Sequence, residues 1–192
     1  VNMHMSETLG GYRFFDKDFT KVIGDNEEPH FVNVTGVTQK TLSKPDAKIL
    51  EINSKTGLYP LYCAYSIFRA KRNESMKDEK ALWFNTVAEN IFVICKTPMA
   101  KAITKRTLCG FNDAKTNCHY FEDLVNQLKE KSEQFINKVT NESYWNKGNN
   151  KMEFDAIVGN PPYQSEANGD ANGSDPVYHL FIDAACKVAP RS

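Results

Sequence analysis

The chain has 192 residues, 41% hydrophobic and 11% aromatic, enough for one compact domain with a buried core. Lysine plus arginine and aspartate plus glutamate each number 24, so no chain-wide basic field marks a nucleic-acid binder, although a local patch would serve as well. The cysteines at 63, 95, 109, 118 and 186 lack the spacing of a zinc site or a disulfide framework, and neither a membrane-length apolar run nor a signal-peptide pattern occurs; the expected address is the cytoplasm.

From the N-terminus, residues 1–7 are polar and unpatterned, and read as a tag remnant or disordered tail. Alternating stretches at 12–15, 19–23 and 31–37, separated by turn residues, predict a small β-ribbon. Residues 1–35 are then a tail and ribbon ahead of a main domain at 36–192. Residues 47–53 read as a strand ending in the polar turn Ser54-Lys55-Thr56-Gly57, and the mostly apolar 58–68 as a buried helix. Helical composition resumes at 79–88, and Ile91-Phe92-Val93-Ile94-Cys95 suits a buried parallel strand. Thr97 is a candidate N-cap, with Pro98 at the first helical position where its missing N–H costs nothing.

A short strand at 118–120 follows. Phe121, Leu124, Val125, Leu128, Phe135, Ile136 and Val139 then keep helical spacing and predict one amphipathic helix, ended by a polar turn at 146–151. Residues 154–159 form a strand that Asn160-Pro161-Pro162-Tyr163 cannot continue, because two prolines remove donors. A stretch rich in Gly, Asn, Asp and Ser at 165–174 leads to Ser174, Asp175 and Pro176, which open a helix with Val177, Leu180, Phe181, Ala184 and Val188 on one face. Strands alternating with helices predict a parallel, doubly wound α/β sheet.

In such sheets ligands gather beyond the carboxyl ends of the strands. Three ends are candidates: residues 51–57, Asp123 after the segment at 118–120, and residues 160–163. The last is the sharpest. An exocyclic aromatic amine is a poor nucleophile because its lone pair is delocalised, and hydrogen-bond acceptors aimed at its N–H groups favour the pyramidal, reactive nitrogen. The Asn160 side-chain oxygen and the Pro161 carbonyl supply two such acceptors, and the Tyr163 ring offers a face for a base turned out of a duplex. The competing reading is a proline-rich turn with Tyr163 capping the core.

The run Phe154-Asp155-Ala156-Ile157-Val158-Gly159-Asn160-Pro161-Pro162-Tyr163-Gln164 resembles the catalytic motif of adenine-N6 DNA methyltransferases of restriction-modification systems. Val177-Tyr178-His179-Leu180-Phe181-Ile182 is similar to the helix that follows the motif there, and the resemblance covers residues 36–190, most strongly from 117 onward. It implies a Rossmann-like class I methyltransferase fold, S-adenosylmethionine as cofactor, double-stranded DNA as partner, and catalytic roles for Asn160, Pro161, Pro162 and Tyr163. It also implies cofactor contacts from Glu51 as the strand-end acid, from Asn53 and Ser54, and from Gly57 as the last turn glycine. Asp123 is similar to the acid that meets the cofactor's adenine, and a helix-start carboxylate is the alternative.

Two features depart from the family's pattern, the turn after the first strand of the main domain and the end of the second. Its turn is commonly Asp-Pro-x-x-Gly-x-Gly, whereas Ile52 replaces the proline and Lys55 the first glycine, and Lys96 stands where an acid would hold the ribose hydroxyls. Both imply cofactor affinity weaker than about 1 μM.

Methyl transfer to cytosine N4 or a glutamine amide, and a catalytically silent DNA-recognition or assembly module, are the rival functions. Lys101, Lys105 and Arg106 read first as a solvated helix face and second as phosphate contacts, His119 and His179 have no partner at a recognisable spacing, and Trp83 and Trp145 read as packing residues. The strand signals are too few for the family's seven-stranded sheet. A truncated catalytic domain is therefore expected, inactive alone, self-associating through an uncovered sheet edge, with restriction or specificity domains fused or on partners.

Overall fold

A computed structural model describes residues 1–16, 18, 20–24, 27–34, 41–72, 78–163 and 176–189. Phe19, residues 35–37 of the third ribbon stretch, Gln164, the stretch at 165–174 and the predicted helix start at Ser174 and Asp175 lie outside them.

Four strands, β3 (Ile49–Ser54), β4 (Ile91–Cys95), β5 (Asn117–Tyr120) and β6 (Ala156–Gly159), form one sheet in the order β5-β4-β3-β6. Every pairing in it is parallel. β3 and β4 are buried at each position, because helices cover both faces of the sheet and leave neither to water. The two-residue period of a strand sorts the core into two layers. Ile49, Val93, Cys95, Cys118 and Ala156 pack with Tyr62, Cys63 and Ile67 of α2 (Leu58–Lys71), Val87 of α3 (Glu79–Asn90) and Leu108 of α4 (Pro98–Cys109). On the other face Leu50, Ile52, Phe92 and Ile94 pack with Leu124 and Leu128 of α5 (Leu124–Glu130), Phe135 and Val139 of α6 (Ser132–Val139), and Phe181 and Val188 of α7 (Tyr178–Val188). The expected doubly wound α/β architecture is what forms.

Local signals set several boundaries. The Thr97 hydroxyl oxygen accepts from Ala100 N at 3.1 Å and Pro98 opens α4, as the sequence predicts. The amphipathic helix expected as one piece is two, because Lys131 leaves the helical region at φ −132° and ψ 33° between α5 and α6. Leu128 and Phe135 are buried on either side of the break; they lie seven residues apart, so apolar spacing alone carries no trace of it. A 3-10 turn at Glu142–Trp145 then seats Trp145 in the core, its indole N–H donating to Val139 O at 2.8 Å.

The N-terminal stretch that reads as an unpatterned tail is a helix, α1 (Asn2–Thr8). Seven residues have little helical stability of their own. Docking supplies it: Met5 and Leu9 are buried in the same cluster as Ile49, and the Asn2 side chain donates to Tyr12 O at 2.8 Å while accepting from Phe14 N at 2.9 Å. The ribbon forms in reduced extent, with β1 (Gly11–Arg13) antiparallel to β2 (His30–Val32) and an isolated bridge between Phe15 and Val22. Among the described residues no helix is long and apolar enough to cross a membrane.

Candidate functional site

The carboxyl ends of β3 and β6 lie side by side, with Glu51 opposite Val158 and Ile52 opposite Gly159. A Cβ at position 159 would stand 2.6 Å from Ile52 O, so glycine is what lets the strands close at this register. At the same level β3 bulges: Ile52 pairs with Ile94 and Ser54 with Cys95, leaving Asn53 as the extra residue. Asn53 has φ 72°, a left-handed conformation that asparagine accepts more readily than most side chains. Bulges re-aim side chains. Here the carboxamide reaches across to the loop after β6, where Nδ2 donates to Asn160 O at 3.0 Å.

The rest of the turn is braced by α4 and by the residue that follows β4. Ser54 Oγ lies 3.2 Å from Thr104 Oγ1, Ser54 O accepts from Lys96 N at 2.8 Å, and Thr107 Oγ1 donates to Thr56 O at 2.6 Å. Gly57 opens α2 at φ 77°, packed so closely on α4 that a Cβ would stand 3.1 Å from Thr104 Cα. Lys55, the side chain in place of the family's first glycine, is exposed. Glu51 is only 3% exposed, and its Oε2 finds no hydrogen-bond partner among the described residues. Burial pushes this carboxyl up to about 7, against the opposing effect of a hydrogen bond with Ser54.

Asn160 is exposed, Pro161 and Pro162 are half-buried, and Tyr163 is 77% exposed. Tyr163 therefore does not cap the core, which removes the competing reading of that ring. Its carbonyl accepts from Val177 N at 3.1 Å, tying the end of the motif to the start of α7. An apolar groove of about 190 Å³ runs between the motif and α7, lined by Ile52, Gly159, Pro161, Phe181 and Ile182. β6 ends the strand order, so its outer edge pairs with no described strand.

Asp123 follows β5 and sits at the N-cap position of α5 with φ 49°, yet its side chain makes no cap hydrogen bond and instead accepts from the Asn126 amide. Two strand spacings separate β5 from β3, roughly 10 Å. The strand ends thus bring Glu51, Asn53, Ser54, Gly57 and Asn160 together, with Asp123 across β4 from them. Lys96 is exposed at the end of β4.

Other singled-out residues make contacts within the fold. His119 packs on Tyr144 and Trp145, with ring centroids 4.6 and 5.2 Å away, and Trp83 Nε1 donates to Leu108 O at 2.8 Å. The Arg106 guanidinium lies 3.7 Å over the exposed Phe111 ring. Burial pushes Cys95 up to about 11 and Cys118 up to about 12, so neither presents a thiolate. Thr104 and the Asn53–Asn160 bond escape sequence reasoning, because their partners are 50 and 107 residues apart and no local pattern links them.

The assembled site joins a buried acid and a braced turn to a stiff loop that offers carbonyl acceptors and an exposed ring. Residues 89–192, from the end of α3 to the end of the chain, match the family described as Eco57I restriction-modification methylase. Over 185 residues the chain is 25% identical to a Mycoplasma pneumoniae protein named "Uncharacterized adenine-specific methylase", a match covering 92% of this chain and 41% of that protein. The chain therefore spans less than half the length of that relative. No solved structure matches.

Proposed function

This chain belongs to the Eco57I restriction-modification methylase family, and on that premise we propose that it carries the site for methyl transfer from S-adenosylmethionine to the N6 amine of adenine in double-stranded DNA. The observation that carries the reading is the Asn160 loop. It stands just beyond β6 with Asn160 O bonded to Asn53, and the acceptors proposed for the amine are the Asn160 side-chain oxygen and the Pro161 carbonyl.

The turn after β3 fits the cofactor. A buried carboxyl with one unpartnered oxygen is costly, and a cationic donor such as an ammonium relieves it. Glu51, Asn53, Ser54 and Gly57 would hold the cofactor's amino-acid end, Asp123 would face its adenine, and the exposed Lys55 leaves the turn unobstructed. When bound, S-adenosylmethionine supplies an electrophilic methyl group. The Asn160 oxygen and Pro161 carbonyl would accept hydrogen bonds from the two N–H groups of the target amine, which localises its lone pair on nitrogen. The exposed ring of Tyr163 gives a base taken out of the stack a surface to replace its neighbours.

Asn160→Ala in the full-length protein tests this. Removing one acceptor aimed at developing charge should lower turnover about 10²- to 10³-fold, and because Asn160 is exposed the melting temperature should hold. Unchanged turnover, or parallel loss of fold and activity, refutes the reading. Cytosine-containing DNA and glutamine peptides are the control substrates, and preferential methylation of either would reassign the amine. Calorimetric titration with S-adenosylmethionine separates an enzyme from a silent module of the same fold.

A further inference from the structure

We infer that Asn53, on the cofactor side of the site, is a positioning residue for the catalytic loop: its carboxamide holds the Asn160–Pro161 peptide and thereby aims the acceptors at the amine. The inference rests on the proposed function for its consequence, and on the geometry alone for the contact.

The donor assignment follows from chemistry. Asn160 O can only accept, so the atom 3.0 Å away must be the N–H₂ end of the Asn53 amide. This contact requires the bulge. A regular β3 would place residue 53 in the ladder opposite β4, whereas the left-handed φ of 72° at the extra residue turns its side chain toward β6. It also requires Gly159, whose missing Cβ lets the end of β6 approach Ile52 O. Asn53 is 3% exposed, so water does not compete freely for the bond.

One hydrogen bond suffices because the loop has few torsions left. Fixing Asn160 O fixes the plane of the peptide that joins it to Pro161. Proline locks its own φ, and the residue before a proline is confined to extended ψ. Asn160 and Pro161 each precede a proline, and Pro161 and Pro162 each are one. Orienting one peptide plane therefore orients the Pro161 carbonyl and the base of the Asn160 side chain. At the far end of the motif, Tyr163 O is held by Val177 N at 3.1 Å, so the loop is anchored at both ends. Because the same bulge lies in the turn proposed to hold the cofactor, a shift of that turn on cofactor binding would be passed to the acceptors through this amide.

Two substitutions in the full-length protein separate the hydrogen bond from the backbone. Asn53→Gly keeps the left-handed conformation and deletes the donor; Asn53→Asp keeps the size and replaces the donor with an acceptor that repels Asn160 O. Hydrogen–deuterium exchange of a peptide spanning 154–163 should quicken in both variants, while peptides from β4 keep their protection. Single-turnover methyl transfer at saturating S-adenosylmethionine should fall about 10- to 100-fold, the cost of a loop misplaced by around an ångström, whatever the change in cofactor affinity. Wild-type exchange in the 154–163 peptide of both variants overturns the contact. A loss confined to cofactor affinity, with full single-turnover rate, makes Asn53 a cofactor ligand and overturns the positioning role. Should the wild-type protein transfer no methyl group to adenine, the proposed function fails, and the exchange comparison still decides whether Asn53 orders the loop.

Discussion

Glu51 titrates in the native chain at about 7, against 4.5 for an ordinary glutamate, because burial penalises its charge. Native protein thus holds an extra proton between these values, so this group's contribution to stability is full below about 4.5 and is lost as pH rises through 7. A shift of this size corresponds to about 3 kcal/mol at full ionisation. Glu51→Gln keeps the shape and cannot ionise. Its melting temperature should exceed wild type by several degrees at pH 8, and the gap should close near pH 5; an equal gap at both values would contradict a buried, raised carboxyl. Cofactor binding should move the other way. An ammonium favours the ionised acid, so calorimetry should show wild-type affinity for S-adenosylmethionine weakening as pH drops below 7, and the glutamine variant binding more weakly at pH 8. The acid and its strand-end position are legible in the sequence. Its unpartnered oxygen is not, because that depends on what the other strands and α2 place around it.

At the scale of elements, β6 and its glycine set how close the two halves of the site can come. Gly159→Ala would put a Cβ 2.6 Å from Ile52 O, closer than real contacts allow, and the atom it meets is backbone rather than the end of a flexible side chain. Displacing the strand should cost roughly 1–3 kcal/mol, seen as a lower urea midpoint at unchanged slope. Methyl transfer should fall with it, in contrast to Asn160→Ala, which is expected to spare the fold. A neutral Gly159→Ala would mean that β3 and β6 separate freely. Elements with local causes are readable in advance: Ile91–Cys95 from its continuous apolar run, and α4 from Thr97 and Pro98. The break at Lys131 and the docking of α1 have tertiary causes and leave no mark on the apolar spacing.

Across the whole molecule, two buried layers clamp the sheet, and β6 lies at one end of it beside the apolar groove. An edge that pairs with no described strand, next to apolar surface, is a template for another chain, so the 192-residue chain is expected to self-associate at raised concentration. Sedimentation should show its mass rising with concentration, and Ile182→Lys, at a groove position already 52% exposed, should reduce it without lowering the melting temperature. A monomer at every concentration would show that this edge does not recruit a second copy. The sequence by itself determined the α/β alternation, the strand run before Asn160 and the residue types of both turns, because these depend on local apolar runs, the donors that prolines lack and capping side chains. Only the tertiary structure decided that Asn53 meets Asn160, that Thr104 backs Ser54 and that Glu51 is buried with an unpartnered oxygen. Parallel strands bring together residues separated by whole helices, and their register is fixed by packing on both faces of the sheet rather than by any pattern within one segment.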